Sequence, residues 1–413
     1  MNSPKFSWKK IAFILSIIGP GIITSAVDND AGGIATYSIA GAHFGYSLLW
    51  TLIPITILLI IVQEMVARMG AVTGKGLADL IRENFGIKIT FFIMIGLIIA
   101  NLFITVSEFA GIAAAGQIFG LSKYILVPLA ALLVWFLILK LNYKVLERVF
   151  LFLVLFYIAY IVSGFMTKPD WGTVLKELVV PHIQFTQPYF FLLIAIIGTT
   201  ITPWMQFYLQ SAIVEKGIRK AEYKYSKWDV IIGSITTDVV SFFIIITCAA
   251  VLFTNNIRIE GAANAAYALQ PLAGQYASLL FMLGFFCAAL FGAFILPLST
   301  SFYVCEAFGW ESGVNKKFKD AKNFYTLLGL IIFISAAIIL IPKINLFSII
   351  LLSQFINGII LPAILIAILI LVNKKSLMGD YVNNRWYNAI AWTGCVLVML
   401  CTIIMLGTTF IGA

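Results

Sequence analysis

The sequence predicts an all-α polytopic membrane protein with eleven spans. Two five-helix repeats are inserted upside down relative to each other, followed by one extra helix. Three observations carry this prediction. Only 11% of the 413 residues are charged while 62% are hydrophobic, and a soluble domain is nearer 25% charged. Apolar runs long enough to cross a bilayer recur along the whole length. Two of those runs, five spans apart, are interrupted at their middles by residues that break helices.

The spans lie near 11–42, 46–69, 89–117, 122–140, 144–166, 189–213, 226–254, 275–303, 323–342, 345–371 and 386–411. The first repeat is 11–166, the second 189–371, and the extra helix 386–411. The first span is apolar through Thr24 and is then broken by SAVDNDAGGI, Ser25 to Ile34. It continues past the break, so it reads as a retained span and not a cleaved signal. The second ends in Glu64 and Arg68, an i,i+4 pair near the cytoplasmic surface. The third holds one acid, Glu108. Lys140 and Lys144 mark the turn between the fourth and fifth. The sixth, FFLLIAIIGTTITPWMQFYLQSAIV, carries Gly198, Thr199, Thr200, Thr202 and Pro203 at its centre, and proline ends or kinks a helix. Asp238 sits in the middle of the seventh. Glu306 follows the eighth, at a solvated inner end. The ninth is uniformly apolar, the tenth contains Gln354, and the eleventh closes the chain.

With the N-terminus in the cytoplasm, 22 of the 27 Lys and Arg fall inside and 5 outside. Losing one span would scramble that split, so the positive-inside bias supports both count and orientation. The C-terminus is then extracytoplasmic, in the plasma membrane. The same distribution accounts for the net charge of +9 without a nucleic-acid partner. The five cysteines lie in or beside apolar runs with no CxxC or Cys/His cluster, so neither a disulfide framework nor a zinc site is expected. His43 and His182 read as surface residues at the extracellular side.

A carboxylate at bilayer depth costs about 3 kcal/mol or more, and the first span holds two, Asp28 and Asp30. On an intact helix they would point about 200° apart. In an extended segment residues i and i+2 face the same way, and Gly32 and Gly33 permit the unwinding. A cation would satisfy the carboxylates and the freed carbonyls together. The expected metal site is Asp30, Asp28, Asn29, the backbone at Val27, Thr199 and Thr202 of the sixth span, and Gln354 of the tenth. Glu108 and Asp238 are the candidates for an ion or proton path. The alternative is that the aspartates cap the half-helix or pair with a buried base. No Lys or Arg lies at midmembrane depth, which speaks against the base. Asp238 is equally readable as a helix–helix contact near Thr236 and Thr237.

Five stretches resemble the Nramp family of divalent metal transporters, in the family's order. They are GPGIIT (Gly19–Thr24), AGAHFGYSLLW (Ala40–Trp50), QEMVARMGAVTGKGLADLIRENFG (Gln63–Gly86), LLSQFINGIILP (Leu351–Pro362) and LMGDYVNNRW (Leu377–Trp386). The resemblance implies a LeuT-type fold and a divalent cation as substrate, with no cofactor. It also exposes departures. The family's first-span motif is Asp-Pro-Gly-Asn, and here it is Asp30-Ala31-Gly32-Gly33, without the asparagine. The sixth-span Met-Pro-His is Thr202-Pro203-Trp204. Thr105 stands where the third span should carry an aspartate, while Glu108 and Gln354 match family residues. Losing a thioether and keeping only hard oxygens favours Mg²⁺ or Mn²⁺ over soft ions, as in the Nramp-related magnesium transporters.

The leading expectation is therefore divalent-cation transport by alternating access through a midplane site. A proton-coupled transition-metal symporter and a sodium-coupled amino-acid carrier of the same fold are the alternatives. Two acids at the break disfavour an anionic substrate group there. An enzyme is not expected: there is no His at depth, no HExxH and no GxSxG. Membrane lipid is the other expected partner. No feature specifies an oligomeric state.

Overall fold

The computed structural model describes residues 19–140, 157–269, 274–314 and 316–411. Every long element is helical, as hydrocarbon demands of a chain that must satisfy its own backbone groups. Among the described residues nine helices are long and apolar enough to cross a membrane. They match the second, third, fourth and sixth to eleventh expected spans. The first span is interrupted. The fifth lies mostly outside the described residues and contributes only Ile158–Met166.

The first span is α1 (Pro20–Ala26), a 3₁₀ turn (Val27–Asn29) and α2 (Ala31–Phe44). The second and third spans are α3 (Leu52–Thr73) and α4 (Leu77–Gln117), and α4 changes direction at Gly86, φ 79°. The fourth is α5 (Lys123–Lys140), and α6 is the Ile158–Met166 remnant of the fifth. Next comes α7 (Trp171–Val179), a short helix not expected from the sequence, capped by Asp170. The Thr173 hydroxyl and the Gly172 N–H hold the exposed Asp170 carboxyl below its usual range.

The sixth span divides into α8 (Gln187–Thr200) and α9 (Pro203–Glu215). Its break is where the sequence puts it: Ile201 leaves the helix, Thr202 is extended, and Pro203 opens α9, a position where its missing N–H costs nothing. The remaining spans are α10 (Tyr223–Cys248), α11 (Ala277–Phe308), α12 (Lys322–Leu340), α13 (Leu346–Val372) and α14 (Arg385–Ile411).

Small residues let these helices approach closely, as is usual in bilayers. A Cβ on Gly198 of α8 would lie 2.1 Å from the Gln354 carbonyl oxygen of α13, and one on Gly358 would lie 2.5 Å from the Ile194 carbonyl oxygen. The pair α1 and α10 crosses in the same way: a Cβ on Gly233 would lie 2.8 Å from the Gly21 carbonyl oxygen. The basic-rich end is closed by polar contacts. Arg68 pairs with Glu64 at 3.3 Å and holds the loop before α14 through the Tyr381 and Val382 carbonyls and the Asn383 side chain. The expected Glu64–Arg68 pair is thus present, but it is buried and not at the surface. Glu306 also departs from expectation. It is not solvated but accepts from Ser211 Oγ at 2.5 Å and lies against Gly76, because α9 and the start of α4 fold over the end of α11.

Candidate ion-binding site

The break in the first span is shorter and more ordered than an unwound segment. Asp30 is the N-cap of α2: its backbone is extended (φ −65°, ψ −171°) and its carboxylate accepts from Gly33 N at 2.8 Å. Gly32 and Gly33 are consequently in the first helical turn, not in the break, so the expectation that they unwind the chain fails. They are needed for close approach. A Cβ on Gly33 would stand 1.9 Å from the Asp28 carbonyl oxygen, and one on Gly32 would stand 1.7 Å from Gln354 Nε2 and 3.0 Å from Asp30 Oδ1. Gln354 and Asp30 therefore meet over the bare Gly32 backbone. Thr199 Oγ1 lies beside Gly33, 3.5 Å from the same construction.

The 3₁₀ turn also changes where the two aspartates point. An extended segment would send both to one side. The turn sets Asp30 beside α4, where Glu108 reaches the N–H of the following residue, Ala31. Glu108 accepts from Ala31 N at 3.2 Å and Ser107 Oγ at 3.2 Å. Asp28 is buried, and both of its carboxylate oxygens lack a hydrogen-bond partner. Among the described residues no three His, Cys, Asp or Glu side chains converge on one point. Asp238 of α10 lies apart from the break, against Leu52, Thr56 and Phe242.

Other expected ligands are placed unevenly. The Asn29 amide is committed to α10: Nδ2 donates to the Thr237 carbonyl at 3.2 Å and its Oδ1 accepts from Ser241 Oγ at 3.1 Å. The Val27 carbonyl accepts from Asp30 N at 2.9 Å. Thr202 Oγ1 and Gln354 Oε1 are buried and have no hydrogen-bond partner. Thr105 donates to the Asn101 carbonyl at 2.7 Å, and Trp204 is buried with its Nε1 unpartnered.

Sequence reasoning missed Asp229. Its carboxylate accepts from the backbone N–H groups of Gly19 at 3.1 Å, Gly21 at 2.7 Å and Ile22 at 3.3 Å. It is the N-terminal cap of α1, supplied by another helix 210 residues away. No local signal could announce it, because capping patterns are read within one turn.

A cavity of about 490 Å³ opens at the end away from the basic residues, lined by Ile39, His43, Phe191, Leu192, Glu260 and Leu351. Leu351 is one helical turn from Gln354, so the cavity ends close above the site. His43 is half-buried there and accepts from Ile259 N at 3.3 Å. His182 lies 4.0 Å from Glu177 on the exposed surface.

Known proteins resemble this chain in sequence and in fold. The chain is 27% identical over 407 residues to the divalent metal cation transporter MntH of Klebsiella pneumoniae, covering 96% of this chain and 95% of the relative. The crystal structure of the Eremococcus coleocola manganese transporter bound to an aromatic bis-isothiourea compound superposes with a TM-score of 0.76 at 20% identity. That match covers 99% of this chain and 88% of the other. MhsT in complex with L-phenylalanine shares the fold at a TM-score of 0.61 and 14% identity, over 94% of this chain and 97% of the other. The two structural likenesses speak for the LeuT-type fold alone. Family membership follows from the sequence, since residues 21–408 match the Nramp family, described as natural resistance-associated macrophage protein-like. From residue 21 nearly to its end, the chain belongs to the Nramp family.

Proposed function

We propose that this protein carries divalent metal cations across the membrane, with Mg²⁺ and Mn²⁺ favoured, by alternating access to a site between the two broken spans. The observation that carries the reading is the chemistry of the unpaired atoms. Thr202 Oγ1 at the sixth-span break and Oε1 of Gln354, whose amide nitrogen lies against Gly32, are buried oxygens without a partner. The buried acids Asp30 and Glu108 lie on either side of the Ala31 N–H. A buried polar atom left unpaired costs about 1–3 kcal/mol, and a buried carboxylate costs more. A cation held by Asp30, Gln354, Thr199, Thr202 and break-segment carbonyls offsets all of these at once. Every donor in that set is an oxygen, which suits hard ions.

The cavity away from the basic end and the closed polar network at the basic end fit a state open to the outside, with the N-terminus cytoplasmic. The curated relative and the manganese transporter give the same substrate class by their names. The test is uptake into proteoliposomes comparing Mg²⁺, Mn²⁺, Ca²⁺ and Cd²⁺. Wild type is expected to take up Mn²⁺ and to take up Mg²⁺ or be slowed by it, and Asp30→Ala to take up neither while eluting as a folded monodisperse protein. Wild-type uptake by folded Asp30→Ala would remove the site assignment. Millimolar Mg²⁺ that neither enters nor slows Mn²⁺ entry would remove the hard-ion preference.

A further inference from the structure

The face formed by α5 and α12 carries a groove that the transport centre does not use. It encloses about 450 Å³ and is lined by Trp135 of α5, by Phe318, and by Tyr325, Gly329, Phe333 and Ala337. Gly329 is its floor: the Trp135 ring packs so closely there that a Cβ would lie 3.1 Å from it. Trp135 also meets Phe333 edge to face, with ring centroids 6.0 Å apart. Between Tyr325 and Ala337 α12 rises about 18 Å, slightly more than one leaflet's share of the roughly 30 Å hydrocarbon core. Apart from Thr326 the lining is aromatic and aliphatic.

One end of this groove is basic. Lys123 at the start of α5 donates to the Ile339 and Ile341 carbonyls at the end of α12, both at 2.8 Å. The two helices therefore run antiparallel, and Lys140, which ends α5, lies at the same end as Lys322, which begins α12. The segment entering α12 adds Lys316, Lys317 and Lys319 around Phe318. Tyr325 fastens that segment over the groove. Its hydroxyl donates to the carbonyls of Lys316 at 2.8 Å and Val314 at 3.2 Å, and its ring stacks on Phe318 at 5.6 Å. Lys316 pairs with Glu311. Lys140, Lys317, Lys319 and Lys322 are exposed, and none of them is in an ion pair among the described residues. Asp320 is the single acid in the segment.

We infer that this groove and its lysines bind one anionic phospholipid. An acyl chain lies along α12 over Gly329, and the headgroup phosphate sits among Lys317, Lys319, Lys322 and Lys140. The apolar lining by itself suits any hydrocarbon tail, and the lysines by themselves suit any anion. A molecule that joins a tail to an anion satisfies both, and the groove runs directly into the basic segment through Phe318. Basic clusters next to the end of a spanning helix select anionic headgroups. A zwitterionic lipid can fill the groove, but it brings a positive group of its own to the lysines. The lipid site does not depend on which ion is carried or on the ligands that hold it.

Trp135 reports on the groove. Purified protein is placed in phosphatidylcholine nanodiscs with a minor share of phosphatidylglycerol brominated midway along one acyl chain. Matched discs hold the same share of brominated phosphatidylcholine. Bromine quenches tryptophan on contact, and the Trp135 contribution is the difference between wild type and Trp135→Phe. The anionic lipid should quench Trp135 several-fold more than the zwitterionic one. That preference should vanish when Lys317→Gln, Lys319→Gln and Lys322→Gln are combined, since these exposed changes remove charge and leave the groove intact. A second reading avoids the Trp135 variant: native mass spectrometry should find one phosphatidylglycerol retained per wild-type chain and none on the triple variant. Equal quenching by the two lipids overturns the site, as does a preference kept in full by the triple variant. Anionic quenching that is unchanged by Trp135→Phe would put the lipid elsewhere and overturn it too.

Discussion

At the scale of the residue, Gly33 carries the clearest lesson. The sequence marks it as the position where the family asparagine is missing, and a substitution back to asparagine looks like the way to restore a softer site. The structure forbids it for a steric reason. Gly33 lies in the first turn of α2 with the Asp28 carbonyl oxygen 1.9 Å from where a Cβ would go. Backbone cannot yield as a side-chain tip can, so Gly33→Ala should cost at least the 1–3 kcal/mol usual for overpacking, roughly. Thermal unfolding of the purified variant followed by intrinsic fluorescence checks this, and a melting temperature equal to wild type would show that the break relaxes freely. Thr202 has no hydrogen bond to lose, because its hydroxyl is unpartnered. Thr202→Met should shift competition toward Cd²⁺ in Mn²⁺ uptake, and an unchanged ion order would take Thr202 out of the ligand set. Asp30 stood out in the sequence because an acid at bilayer depth just ahead of two glycines is conspicuous. Whether Asp28 would join it was not legible, since direction depends on a 3₁₀ turn that spacing alone does not reveal.

At the scale of the element, both breaks could be read from the chain, and the reasons differ. Pro203 marks the second by chemistry that acts within one turn. The first was located correctly but given the wrong conformation: two glycines suggested unwinding, whereas Asp30 capping α2 keeps them helical. The attachment of α1 was invisible. Its first turn is held by Asp229 from α10, and the crossing is close because Gly21 and Gly233 carry no side chains. Replacing that acid leaves three backbone N–H groups without an acceptor, at about 1–3 kcal/mol each when they stay buried. Asp229→Ala should therefore loosen α1. A cysteine introduced at Ser25 should become labelled by a membrane-impermeant maleimide from the basic side several-fold faster in this background. Equal labelling rates with and without Asp229 would show that the crossing alone holds the helix.

At the scale of the whole molecule, the expected orientation rests on lysine and arginine placement, because loops record their side of the membrane in their charge. The packing that closes one end and opens the other was not recorded there. It depends on Arg68 reaching the loop before α14, Glu306 reaching Ser211, and Gln210 donating to the Lys75 carbonyl at 2.8 Å, contacts between segments far apart in sequence. The same scale governs coupling. Thr105 and Trp204 occupy positions where proton-coupled members of the family carry an acid and a histidine. Thr105 is engaged within its own helix, and Trp204 is buried with its Nε1 unpartnered. Metal entry is expected without stoichiometric proton entry. A pH dye inside the proteoliposomes reads this directly, and acidification near one proton per ion would contradict it.

The glycine crossings carry a mechanical consequence. Gly198 and Gly358 lock α8 to α13, and Gly21 and Gly233 lock α1 to α10. Thr199 and Gln354 ride on the first pair, while Asp30 follows directly from the second. An ion bound among them acts as a rivet through a seam between two rigid plates. Filling the seam should stiffen the whole protein, adding about 2.7 kcal/mol to its resistance to unfolding when the ion is at a hundred times its dissociation constant. Emptying it leaves the seam held by Gly32 against Gln354 and by the Tyr37–Thr200 hydrogen bond alone at its centre.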